Sequence, residues 1–114
     1  MKRTLAIIAG AALLALIPLA SHAQDPAAQK GMQVFVEQKC NVCHSIAGKG
    51  KKTGPLDDVG SRLTSAQIRE WIIDPVTMAA KREPKSTRKP PMKKKPVPAG
   101  DVDALVALLS TLKK

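Results

Sequence analysis

Both cysteines of this 114-residue chain, and one of its two histidines, fall in a single stretch, Lys39-Cys40-Asn41-Val42-Cys43-His44-Ser45. That clustering constrains the fold more than any other feature. With no third cysteine, no disulfide framework is available to staple a small domain. A bridge between Cys40 and Cys43 would close too short a loop to restrict the unfolded chain much. The pair is therefore read for chemistry: a redox dithiol, part of a metal site, or an attachment point.

The start of the chain sets the compartment. Lys2 and Arg3 precede an uncharged apolar run from Leu5 to Ala20, followed by Ser21-His22-Ala23. A basic segment, an apolar segment and small residues before a cut make a secretory leader. The run is shorter than the roughly 18 apolar residues of a comfortable membrane span, and Pro18 interrupts it. We expect a signal peptide of residues 1–23, cleaved after Ala23, and a mature domain of residues 24–114 in the periplasm. The alternative is an uncleaved membrane anchor.

The mature domain has 91 residues, with Phe35 and Trp71 as its only aromatic side chains apart from His44. Core burial is thin at that size, so a buried cofactor is expected to supply stability. Its 17 basic and 9 acidic residues give a formal charge of +8. Such a balance favours acidic partners. Secretion and the lack of aromatic stacking platforms argue against nucleic acid. An acidic protein face is the expected partner, with an anionic membrane surface as the lesser one.

Hydrophobic spacing predicts three helices. Asp25-Pro26 starts the first, about residues 26–38, with Ala28, Met32, Phe35 and Val36 recurring at helical spacing. Gly31 weakens that helix relative to alanine, which a closely approaching backbone would explain. Residues 45–63 read as loop, with a turn at Gly54-Pro55. Thr64 or Ser65 caps a second helix carrying Ile68, Trp71 and Ile72, which Asp74-Pro75 ends. Prolines 84, 90, 91, 96 and 98 make residues 76–99 irregular. The last helix carries Val102, Leu105, Val106, Leu109 and Leu112, with Lys113 and Lys114 in its last turn. No run alternates with period two, so the fold class is all-α.

A thioredoxin-like dithiol needs an alternating strand–helix chain, which is absent here. Structural zinc needs four ligands. Cys40, Cys43 and His44 offer three at most, with adjacent Cys43 and His44 awkwardly placed for one tetrahedral ion. Cys-x-x-Cys-His is the attachment signature of c-type haem. Two cysteines three apart on a helical turn point the same way, so their sulfurs can bond both vinyl groups of one haem edge. His44 then reaches beneath the ring to the iron.

With His22 removed, no second histidine can take the opposite side of the iron. Three mature methionines remain. Met32 lies too near the motif to wrap around. Met78 directly follows the Trp71 helix and stays available. Met92 is favoured: it sits in Lys89-Pro90-Pro91-Met92-Lys93, 48 residues beyond His44, among prolines and lysines rather than on an apolar stripe.

Taken together, "GMQVFVEQKCNVCH", "TGPL" at residues 53–56, "LTSAQIREWIIDP", the Pro-Met loop and "DALVALLSTL" resemble the class I monohaem cytochromes c. The resemblance covers nearly all of residues 26–114. It implies a cytochrome c-like fold of about three main helices, with long loops wrapped around one covalently bound haem c. It also implies that Gly31 and Phe35 meet the last helix. Pro55 would accept, through its carbonyl, the hydrogen bond from the other ring nitrogen of His44. Trp71 would pack beside the haem and reach a propionate. The last helix normally offers an aromatic residue to the first; here that position falls on Leu108.

Iron bound by His44 and Met92 has a raised reduction potential and no open position for substrate. The expected function is therefore electron transport between redox partners by a monomer, not enzymatic catalysis. Two alternatives remain: a haem-based ligand binder or sensor with a labile sixth site, and a cytochrome subunit held by a periplasmic oxidoreductase. The exceptionally basic stretch around Met92, from Lys81 to Lys95, would face an acidic docking partner.

Overall fold

Asp25 accepts a hydrogen bond from the Ala27 amide at 3.1 Å, and Pro26 takes the first helical position, where no backbone donor is needed. From there the first helix, α1, runs Pro26–Glu37. The computed structural model describes residues 25–114. The expected leader and its cleavage point lie outside the described residues. Among the described residues, no helix is long and apolar enough to cross a membrane.

After α1 the chain makes a 3-10 turn at Cys40–Val42 and a two-residue hairpin of β1 (Ser45–Ile46) and β2 (Lys49–Gly50). Ala47 and Gly48 join the strands with φ of 51° and 78°. Positive φ at both central residues suits the right-handed twist of flanking strands. Four helices follow: α2 (Val59–Arg62), α3 (Ser65–Ile73), α4 (Pro75–Lys81) and α5 (Ala99–Ser110). The all-α class holds, since the hairpin is the one sheet among the described residues.

The core forms where α1 crosses α5, and α3 also packs against α5. Val34 and Phe35 from α1, Ile68 from α3, and Val102, Leu105, Leu108 and Leu109 from α5 are buried together. Gly31 makes the crossing close. A Cβ added there would meet the Ala104 carbonyl oxygen at 2.5 Å. The expected backbone approach is therefore present, and Leu108 occupies the position facing Gly31.

Three expectations change in detail. Asp74-Pro75 ends α3 but also begins α4, in a stretch expected to be irregular. The Asp74 carboxylate accepts from the Thr77 hydroxyl at 2.7 Å and its amide at 3.3 Å, while Pro75 sits in the first turn. Val59–Arg62 forms a short helix within the expected 45–63 loop. Finally, α5 ends at Ser110, so Lys113 and Lys114 lie beyond its last turn. The tail turns away to pair with α2: Gly60 donates to the Leu112 carbonyl at 2.7 Å, and the Lys114 amide donates to the Ser61 hydroxyl at 2.9 Å.

Candidate haem site

Lys39 is the pivot between α1 and the cysteines. It adopts a left-handed conformation, φ 58°, immediately after the helix cap Gln38. A residue in that conformation ends a helix and redirects the chain. The next four residues close on themselves. The Cys40 carbonyl accepts from both the Cys43 amide at 3.1 Å and the His44 amide at 2.9 Å. Both cysteines are free thiols, with Cys40 half-buried and Cys43 exposed. Burial pushes the Cys40 thiol above its ordinary pKa, while the charge of Lys95 acts in the opposite direction.

His44 is fixed by its backbone neighbour. Its Nδ1 lies 3.1 Å from the Gly54 carbonyl oxygen, so Nδ1–H donates and Nε2 is the ring nitrogen left for another partner. Burial lowers the pKa of the imidazole, the Gly54 hydrogen bond raises it in part, and Arg88 lowers it further. A neutral imidazole is the form that binds iron.

The hydrogen bond falls on Gly54 rather than on Pro55, and the local pairing explains this correction. Ser45 and Pro55 form a parallel bridge: the Ser45 amide donates to Gly54 at 3.0 Å, and the Leu56 amide donates to Ser45 at 2.9 Å. Successive carbonyls of an extended segment point to opposite sides. The Gly54 carbonyl therefore faces Ser45 and His44, and that of Pro55 turns away. Gly54 is also required sterically, since a Cβ there would overlap the Cys43 carbonyl oxygen. The missed signal was the proline itself, whose absent N–H suits the unpaired side of such a bridge.

The other expected site residues lie on separate elements. Trp71 stands on α3, half-buried and apart from the side chains that pack on the core. Met92 lies on the segment between α4 and α5 and is 44% exposed. One contact ties this segment to the end of α1: Lys95 Nζ donates to the Gln38 carbonyl. Met78 stands on α4 in a cleft with Glu70, Ile73, Asp74, Thr77 and Lys81.

The donor set suits a haem better than a bare ion. Among the described residues no three His, Cys, Asp or Glu side chains come together around one metal position. Two free thiols and one oriented, neutral imidazole instead share a single turn, with Trp71 and Met92 left outside the packed core.

The cytochrome c family model matches residues 28–113. The chain belongs to the cytochrome c family. No curated protein and no solved structure matches it significantly. As a family member it is a haem-containing electron-transfer protein of the class I monohaem type, and its helical fold agrees with that assignment. The matched span takes in the cysteine turn, the Gly54 carbonyl, α3, the Met92 segment and α5.

Proposed function

We propose that this protein is a periplasmic carrier of single electrons, monomeric, with one haem c attached through Cys40 and Cys43. His44 binds the iron through Nε2, and Met92 takes the opposite side. The observation that carries this reading is the His44–Gly54 hydrogen bond directly after the two-cysteine turn. It fixes ring orientation and tautomer and strengthens the imidazole as a ligand. When bound, the haem supplies a one-electron couple whose potential a thioether ligand raises.

The chain's own residues define the rest of the site. The contact of Lys95 with the end of α1, just before the cysteine turn, supports Met92 over Met78 as sixth ligand. Trp71 shields one haem face from water and can donate its indole N–H to a propionate. Lys81, Arg82, Lys85, Arg88, Lys89 and Lys93 are exposed around Met92 and would steer an acidic redox partner to it. Residues 1–23 would direct export and be removed.

An optical spectrum together with an intact mass, both taken on periplasmic protein, tests the reading. The expected mass is that of residues 24–114 plus one haem, retained under denaturing conditions. Haem that extracts freely, or an uncleaved leader, would overturn the corresponding part. Met92→Ala should open the sixth site and lower the potential, while Met78→Ala should leave both unchanged.

One observation favours a second reading, a ligand-binding haem protein with a labile sixth site. Met92 is substantially exposed and its segment has no helix or strand from Arg82 to Pro98. Carbon monoxide separates the two: ready binding to the reduced wild-type protein at neutral pH supports the labile site and sinks the carrier with a firm Met92 bond.

A further inference from the structure

The carbonyls at the end of α1 need partners, and a cation placed there also offsets the negative end of the helix. The sequence of α1 supplies none, since its last turn has no basic residue. Lys95 provides one from 57 positions away, donating through Nζ to the Gln38 carbonyl. Gln38 is two residues before Cys40, and the Lys95 charge is felt at the Cys40 thiol. The charge of the adjacent Lys94 is felt at Asp74, where α4 begins. Pro96 and Val97 then line a cleft of about 180 Å³ with Ile72, Ile73 and Val102.

Met92 is three residues before Lys95, a stretch that spans about 11 Å at most when extended. Proline at positions 90, 91 and 96 narrows the conformations available on both sides. A tether at Lys95 therefore limits how far Met92 can swing. We infer that Lys95 is a positioning residue that clasps the Met92 segment to the haem-attachment turn and sets how firmly Met92 closes the sixth site. This rests on the reading of Met92 as the sixth ligand. The clasp sets Lys95 apart from Lys89 and Lys93, which are exposed beside Met92, whereas Lys95 is occupied within the chain.

The test compares Lys95→Ala, Lys95→Arg, Lys93→Ala and Met92→Ala in the haem-loaded protein, using imidazole as a competing ligand for the ferric iron. Losing one hydrogen bond at an exposed site should raise imidazole affinity about three- to tenfold in Lys95→Ala. Lys95→Arg should restore the wild-type value, because it keeps the donor and the charge. Lys93→Ala removes the same charge near Met92 without breaking the clasp and should leave the affinity near wild type. Lys95→Ala that matches wild type or Lys93→Ala overturns the clasp, while Met92→Ala opening the site upholds the ligand. A Met92→Ala spectrum unchanged from wild type overturns the ligand reading and the clasp's effect on it.

Discussion

Gly31 on α1 and Leu108 on α5 are so close that a Cβ built on Gly31 would lie 2.5 Å from the Leu108 Cβ. In a free helix, Gly31→Ala would add about 1 kcal/mol of stability. Here the added methyl also meets the Ala104 carbonyl at 2.5 Å, and that backbone atom cannot rotate aside. Overpacking of this kind costs about 1–3 kcal/mol, so the net effect is expected to be a loss. Denaturant unfolding of the haem-loaded protein measures it. A raised midpoint would mean that α1 and α5 separate easily.

The same crossing shows what the sequence makes legible. Gly31 is costly in a helix, and that local cost pointed correctly to a neighbouring backbone. The turn that gathers Cys40, Cys43 and His44 was legible because the three residues are neighbours in the sequence, and the Cys40 carbonyl closes it. The helices carrying Phe35, Ile68 and Leu105 were readable from apolar periodicity. Helices of four and seven residues, such as α2 and α4, are too short to show a period. Pro75 illustrates the ambiguity, since proline both stops one helix and suits the first turn of the next. The choice of Gly54 over Pro55 depends on a bridge to Ser45, ten positions away. The Lys95–Gln38 contact has no local signature at all, because its partners meet only after the chain has folded.

Gly54 and Pro55 can be separated by substitution. A side chain at position 54 would overlap the Cys43 carbonyl and lie 3.2 Å from His44 Nδ1. Gly54→Ala should therefore displace the carbonyl that orients His44, destabilising the protein by about 1–3 kcal/mol. A weaker hydrogen bond to Nδ1 makes the imidazole a poorer donor to iron, so the reduction potential should rise. Pro55→Ala leaves the Gly54 carbonyl in place and should shift the potential less. Redox titration of both variants decides the order, and a larger shift in Pro55→Ala would reassign the hydrogen bond.

Asp74 links α4 to acid sensitivity. The Thr77 hydroxyl, then the Thr77 amide, hold its carboxyl below the usual aspartate range, with smaller contributions from Lys94 and Lys81. A depressed native pKa means that the ionised form supports the fold at neutral pH. That support is present above the ordinary value, about 3.9, and is lost as pH falls through the native one. The protection factors of α4 amides, which are corrected for the pH dependence of intrinsic exchange, should therefore fall on acidification below about pH 4. Asp74→Asn should show lower protection at neutral pH and little further loss of protection in acid. Equal acid sensitivity in wild type and Asp74→Asn would place the responsible group elsewhere.

Lys89 and Lys93 flank Met92 and are both exposed, so their charge is available to an approaching partner. Glu83 is the only acidic residue between Lys81 and Lys95, and it pairs with Lys85 at 3.2 Å. The field around Met92 is therefore strongly positive. Clefts and faces of one sign raise association rates by about 10- to 1000-fold at low salt, and screening removes that gain as the Debye length shortens. Electron transfer to an acidic redox protein should slow as ionic strength rises. Lys89→Glu with Lys93→Glu should slow it at low salt and flatten the salt dependence. The optical spectrum should stay unchanged, because neither side chain holds the iron. Steering acts before contact, so the loss should appear in the association rate rather than in dissociation. Stopped-flow measurements at several salt concentrations distinguish the two, and an unaltered association rate would show that partners dock away from the Met92 segment.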